Sequence, residues 1–83
     1  MNIKILGSGC ARCHELLRNT RDAVKEIGSD ATVEDVTDIR EIIKYNVIST
    51  PGLVIDEKVV STGKSLSKKE LIQIIQKANP RSE

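Results

Sequence analysis

Aromatic side chains are almost absent from this chain of 83 residues, which has one Tyr and neither Phe nor Trp. Single-stranded nucleic acids are usually bound by stacking of their bases on aromatic rings, so the composition argues against that mode of binding. An excess of one charge is also lacking, because 13 Lys and Arg stand against 12 Asp and Glu. Since the net charge of +1 is spread along the chain, we expect no nucleic-acid partner and no anionic-membrane surface.

Long apolar runs are missing as well. A membrane-spanning helix needs about 20 apolar residues, and the longest runs here last only a few residues. The first six residues lack the basic start and the apolar core of a secretory signal peptide. We therefore expect a cytoplasmic protein with no membrane association. A monomer is a separate expectation, which these absences do not decide. The length predicts a single domain over residues 1–83, with 79–83 as a frayed tail.

The pattern of apolar residues predicts an α/β protein with seven elements in the order β-α-β-α-β-β-α. Strands are predicted over 2–6, 31–36, 53–55 and 59–60, and helices from 11 to Gly28, over 38–45 and over 67–78. The first strand–helix–strand unit should be parallel and right-handed, and the last two strands should be antiparallel. The turn at 56–58 lacks the glycine of the strongest hairpin signals, which leaves its type open.

Local signals mark the ends and the inner faces of the helices. Gly28 and Asn46 are suited to left-handed stops, and the pairs Asp38/Glu41 and Ser67/Glu70 have the spacing of capping boxes. The inward residues of the three helices are predicted as follows: Cys13, Leu16, Leu17, Thr20, Val24 and Ile27; Ile39, Ile42 and Ile43; Leu71, Ile72, Ile74, Ile75 and Ala78.

The most informative feature is the pair Cys10 and Cys13, three residues apart where a glycine loop runs into the first helix. This placement directs the first sulfur to solvent and the second toward the core, and it lets the two sulfurs meet at disulfide distance. Unpaired N–H groups at the helix start and the cation of Arg12 favour a thiolate on Cys10. Because the thiolate is the attacking species, we predict Cys10 as nucleophile and Cys13 as resolving residue.

Two segments of the chain resemble the signature segments of the small, glutaredoxin-sized thioredoxin-like proteins of archaea and bacteria. They are Gly-Ser-Gly-Cys-Ala-Arg-Cys at 7–13 and Ser-Thr-Pro-Gly-Leu-Val-Ile-Asp at 49–56. The resemblance implies the minimal thioredoxin fold: a four-stranded mixed sheet in the order 2-1-3-4, with the first and third helices on one face and the second on the other. It also implies dithiol–disulfide exchange through Cys10 and Cys13.

The same resemblance implies a cis peptide bond before Pro51, and a Thr50 whose backbone pairs with an extended substrate segment. We assign supporting roles to Gly9, which directly precedes the first cysteine, and to Ala11 and Arg12, which lie between the two. We predict no cofactor apart from a redox-active Cys10–Cys13 disulfide, protein disulfides as substrates, and a reductase of the thioredoxin-reductase type as electron donor.

Some positions depart from better-known relatives. Thioredoxins typically carry Trp directly before the first cysteine, where Gly9 stands here. Glutaredoxins usually carry an aromatic residue between the two cysteines, where this chain has Ala-Arg at 11–12. They also carry a Gly-Gly-x-Asp-like glutathione segment after the hairpin, where this chain has Ser-Thr-Gly-Lys at 61–64. These differences argue against a glutathione-dependent enzyme, which stays as an alternative.

A metal-binding module or metallochaperone is the other alternative, because paired thiolates suit Zn²⁺ or Cu(I). Small metallochaperones have the order β-α-β-β-α-β, however, and the second cysteine pair of a closed zinc site is missing. We assign no metal ligand. The string Cys-Ala-Arg-Cys-His at 10–14 also matches a c-type haem attachment site, but no export signal accompanies it.

Overall fold

The computed structural model describes residues 1–7, 11–47 and 49–78. Its elements are β1 (Asn2–Leu6), α1 (Ala11–Glu26), β2 (Thr32–Val36), α2 (Ile39–Lys44), β3 (Gly52–Ile55), β4 (Lys58–Thr62) and α3 (Lys68–Ala78). The predicted order is confirmed, and most boundaries agree within a residue or two, although β4 is longer than the predicted 59–60. The predicted tail at 79–83 lies outside the described residues. No helix in the described part of the chain has the length and apolarity needed to cross a membrane.

The four strands form one mixed sheet in the order β2-β1-β3-β4. β1 is parallel to β2 and antiparallel to β3, and β3 is antiparallel to β4. The Gly7 N–H donates to the Val36 carbonyl at 3.0 Å and extends the β1–β2 ladder beyond β1. This is the minimal thioredoxin fold that the resemblance implies.

The helices cover the sheet unequally. Because strand side chains alternate between faces, Ile3 and Ile5 of β1 lie in the core beneath α1 and α3, while Leu6 lies in the core beneath α2. Among the described residues the first core contains Ile3, Ile5, Leu16, Ala23, Val24, Leu53, Ile55, Leu66, Leu71 and Ile75. The second contains Leu6, Ile42, Val47 and Val54.

α1 ends as predicted. Gly28 has a φ of +66°, its N–H donates to the Lys25 carbonyl, and the Ser29 N–H donates to the Val24 carbonyl at 3.0 Å. This pair of bonds is a Schellman motif, which satisfies carbonyls that the end of the helix leaves open.

In α2 the predicted buried stripe is wrong at two of three positions. Ile42 is buried, but Ile39 and Ile43 are 61% and 63% exposed. A helix of six residues makes fewer than two turns, so it presents too little surface to the sheet to bury three isoleucines. Asn46, with a φ of +58°, ends the helix as predicted.

The two predicted capping boxes have different outcomes. At α3 the box is complete: the Glu70 N–H donates to Ser67 Oγ and the Ser67 N–H donates to the Glu70 carboxylate. At α2, Asp38 is the N-cap, but its carboxylate accepts from the Arg40 N–H, and the Glu41 carboxylate accepts from Lys44 Nζ instead.

Two further details correct or complete the predictions. Ala78, predicted to face inward, is exposed at the end of α3. The hairpin between β3 and β4 has a two-residue turn in which Asp56 and Glu57 have φ values of +49° and +70°. Positive φ at both central residues is the type I′ geometry, which matches the twist of the two strands.

Candidate active site

The second cysteine of the predicted pair lies in the first turn of α1. Cys13 is the third residue of the helix and only 4% exposed, whereas Ala11 and Arg12 before it are exposed. Gly9 and Cys10, the other two predicted residues of this segment, lie outside the described residues. The burial of Cys13 agrees with the prediction that its sulfur points toward the core.

Cys13 is disulfide-bonded, and its side chain packs against Gly7. A Cβ added to Gly7 would collide with the Cys13 Sγ and would lie 2.9 Å from the Cys13 Cβ. Gly7 is buried, and its N–H is bound to the Val36 carbonyl. The sequence placed Gly7 only in a loop, because its contact with Cys13 depends on how α1 is set against the end of β1.

Thr50 and Pro51 lie at the same end of the sheet as Cys13. The register pairs Gly52, the first residue of β3, with Leu6, the last residue of β1. Pro51 precedes that pair on one strand and Gly7 follows it on the other, so the two predicted segments come together at the end of β1. The Thr50–Pro51 peptide bond is cis, as predicted.

The segment before β3 is held by the loop that follows β4. The Pro51 carbonyl accepts a hydrogen bond of 2.8 Å from the Gly63 N–H. Gly63 has a φ of +70°, and a Cβ there would lie 3.1 Å from the Ser49 Cβ. Pro51 is fully buried, while Thr50 is half-buried. Within 1–7, 11–47 and 49–78, no hydrogen bond involves the Thr50 backbone N–H or carbonyl.

The first turn of α1 lacks acidic side chains. The exposed Arg12 and His14 lie in it or next to it. Since the N-terminal end of a helix favours negative charge, this arrangement is suited to a thiolate at the start of α1.

A metal centre has no further support in the described part of the chain. There, no group of three or more His, Cys, Asp and Glu side chains is arranged to hold a metal ion. Among the described groups with clearly shifted pKa values, Lys4 lies in β1 and Glu57 in the hairpin turn. The others, Asp38, Lys68 and Glu70, lie at the starts of α2 and α3.

Comparison with known proteins agrees with this geometry. Residues 1–76 match the family model described as thioredoxin domain. The chain belongs to the thioredoxin-domain family. It is 39% identical over 75 residues to a thioredoxin of Methanothermobacter thermautotrophicus, covering 90% of this chain and 97% of that protein. It is also 41% identical over 69 residues to a thioredoxin of Methanocaldococcus jannaschii, covering 83% and 79% of the two chains. The protein is therefore a thioredoxin-like redox protein.

Proposed function

We propose that this protein is a dithiol–disulfide oxidoreductase that reduces disulfides of other proteins. The observation that carries the proposal is the position of Cys13, buried in the first turn of α1 and packed on Gly7. A cysteine with 4% exposure is poorly accessible to a protein substrate, but it suits exchange with the cysteine that lies three residues earlier in the sequence. This suits a resolving role for Cys13 and leaves the attack on substrate to Cys10.

The reaction proceeds in two exchange steps. The Cys10 thiolate attacks one sulfur of the substrate disulfide, forms a mixed disulfide, and expels the other substrate sulfur, which takes up a proton. Cys13 then loses its proton to water and attacks the Cys10 sulfur. The second substrate sulfur departs and is protonated, and a Cys10–Cys13 disulfide remains. Two electrons have passed from the protein dithiol to the substrate.

Thr50 is the proposed contact for the substrate backbone. Its N–H and carbonyl make no hydrogen bond to any described residue, and it lies beside Pro51 at the end of the sheet where Cys13 is found. An extended substrate segment could pair with these groups in the manner of strand addition. Ala11 and Arg12, both exposed, would border that segment.

The oxidised protein must be reduced again before the next cycle. Its sequence has no nicotinamide- or flavin-binding motif, so a separate reductase of the thioredoxin-reductase type would supply the electrons. A cytoplasmic location, where thiols are kept reduced, suits this cycle.

Cysteine substitutions with a model disulfide protein test the proposal. We expect Cys13→Ser to accumulate a mixed disulfide with the substrate, because the resolving step is missing, and Cys10→Ser to trap none. Mass spectrometry of acid-quenched mixtures identifies the trapped species. Trapping by Cys10→Ser, or reduction of the substrate by the double Ser variant, would contradict the assigned roles.

The two alternative functions are tested on the same protein. A glutathione-dependent enzyme would be reduced efficiently by glutathione alone, whereas we expect rapid reduction only with a thioredoxin reductase. A metal-binding module would take up Zn²⁺ stoichiometrically and lose the two-electron transition in a redox titration. We expect that transition to be insensitive to one equivalent of zinc.

A further inference from the structure

Gly7 and Gly52 are both buried glycines at the end of the sheet where the two predicted segments meet, but different atoms fill the space beside them. A Cβ on Gly52 would lie 3.2 Å from Val47 Cγ1 and 3.4 Å from atoms of Leu6. Those neighbours are aliphatic side-chain atoms, most of which can shift by a few tenths of an ångström. A Cβ on Gly7 would instead collide with the Cys13 sulfur.

The backbone around Gly7 has little freedom to move away. The Gly7 N–H is bonded to the Val36 carbonyl at 3.0 Å, and the preceding residue, Leu6, pairs with both β2 and β3. Gly7 and Leu6 are buried. The sulfur therefore rests on a fixed surface, and a larger residue at position 7 would displace Cys13 rather than the strand.

We propose that Gly7 is a positioning residue for the redox pair. Because Gly7 has no side chain, the space beside its backbone is open to the Cys13 sulfur in the disulfide. The proposal rests on the exchange function proposed above and adds a residue that sets the balance between its oxidised and reduced forms.

The expected effect differs between the two redox states. In the disulfide, the Cys13 sulfur is tied to its partner and is confined to the position against Gly7. A free thiol can rotate to another staggered χ1 position that the helix allows. The close approach of the added Cβ to the Cys13 Cβ, at 2.9 Å, is common to both states. The collision with the sulfur disfavours the disulfide more than the dithiol, so the equilibrium should shift toward the reduced form.

Gly7→Ala tests this in buffers of reduced and oxidised dithiothreitol. We expect the equilibrium constant for protein reduction to rise about tenfold, which corresponds to about 30 mV for a two-electron couple. Val24→Ala is the matched control, because Val24 is a buried residue of the same helix but lies three turns from Cys13. A Gly7→Ala shift of less than threefold, or one equal to that of Val24→Ala, would overturn the proposal.

A double-mutant cycle covers the case in which Gly7→Ala does not fold. Removing the sulfur in Cys13→Ala leaves only the Cys13 Cβ near position 7, so Gly7→Ala should cost less free energy of unfolding in that background than in the native one. If Gly7→Ala does not fold but Gly7→Ala/Cys13→Ala does, the result likewise supports the proposal that Gly7 accommodates the sulfur. Equal costs in both backgrounds, or an unfolded double variant, would show that the sulfur is not what Gly7 accommodates.

The two proposals fail in distinguishable ways. If the native protein does not reduce protein disulfides, the exchange function is wrong, yet the dithiothreitol equilibrium still reports whether Gly7 favours the disulfide. If the native protein does reduce them and Gly7→Ala leaves the equilibrium unchanged, only the role of Gly7 is wrong.

Discussion

The two faces of the sheet are covered in different ways. On the face beneath α1 and α3, aliphatic side chains from both helices and from β1 and β3 form one continuous core. On the face beneath α2, the described core is reduced to Leu6, Ile42, Val47 and Val54, with Val36 and Tyr45 packed against it. The difference follows from helix length, because α1 has 16 residues and α2 has six.

A polar cluster of Lys4, Tyr45 and Glu57 lies on the α2 side. The register pairs Lys4 with Val54, so the two side chains share that face. Lys4 Nζ donates to the Tyr45 hydroxyl at 2.9 Å and to the Glu57 carboxylate at 3.0 Å. The Tyr45 hydroxyl donates to the other Glu57 oxygen at 2.8 Å. Lys4 is only 20% exposed, and its stem and the Tyr45 ring extend the cover beyond the end of α2.

The hydrogen bonds of the cluster also shift the pKa values of Lys4 and Glu57. The hydrogen bonds with Tyr45 and then Glu57 raise the pKa of Lys4 above its usual range, and those with Tyr45 and then Lys4 lower the pKa of Glu57. The comparison of the two faces shows how a sheet face that a short helix covers only in part can be covered further by the apolar stems of polar residues. This solution depends on contacts between β1, the end of α2 and the hairpin turn.

The largest effect is expected on the face beneath α1 and α3. Leu16 is fully buried in that core, so Leu16→Ala should lower the free energy of unfolding by about 2–5 kcal/mol. Urea denaturation followed by circular dichroism measures this change. Since small domains have only about 5–15 kcal/mol in total, the variant should be clearly weakened. A loss below about 1 kcal/mol would mean that this core is not the main source of stability.

The face beneath α2 gives a matched pair of substitutions. Ile42→Ala should cost about 2 kcal/mol, because this buried side chain packs in a smaller core. Ile43→Ala, on the same helix but 63% exposed, should change the free energy of unfolding by less than about 0.5 kcal/mol. Equal losses at the two positions would show that Ile43 is buried in solution and would remove the contrast between the faces.

The smallest effect is expected in the polar cluster. Tyr45→Phe keeps the ring and removes the hydroxyl, which should cost about 1 kcal/mol. It should also raise the pKa of Glu57 toward its usual value, because the Tyr45 hydrogen bond is the main cause of the lowering. The pKa is measured from the Glu57 carboxyl NMR shift. Glu70 serves as the control, since its lowered pKa arises from hydrogen bonds with Ser67 and should not change.

The pH dependence of stability has a definite sign. The pKa of Glu57 is lower in the folded state than the ordinary value of 4.5, so its contribution is present above that value and is lost as the pH falls through the folded pKa. Acidification lowers the free energy of unfolding, and Glu57 contributes part of that decrease. In Tyr45→Phe, the contribution of Glu57 should be smaller. An unchanged difference between pH 7 and pH 3 would contradict the role given to the hydroxyl.

Most features set by neighbours in sequence were predictable, although Asp38 and Glu41 do not form the predicted capping box. The Gly28 stop, the left-handed Asn46 and the Ser67/Glu70 capping box each depend on residues within one or two turns, and all three are confirmed. The order of strands was also predicted, although this came from the resemblance rather than from periodicity. Cys13 was correctly predicted to lie inward because it falls on the apolar stripe of α1.

Features set by distant contacts were missed. The exposure of Ile39 and Ile43 depends on how little of the sheet a short helix covers, which the spacing of isoleucines does not show. The turn type depends on contacts across the fold: the Asp56 carboxylate accepts from the Asn2 N–H at 2.8 Å, and Glu57 is held by Lys4 and Tyr45. The packing of Cys13 on Gly7 likewise depends on how α1 is set against the end of β1.

The hairpin has a consequence for behaviour at high protein concentration. β4 is an edge strand in which Val59 and Val60 are 38% and 44% exposed, and a regular apolar edge is a template for aggregation with another chain. The β3–β4 register shifts between Leu53 and Val54, opposite these valines. Such an irregularity twists the edge and interrupts its row of hydrogen-bonding groups. With the charge of Lys58 at the start of the strand, the two valines are exposed without offering a flat edge for intermolecular sheet formation.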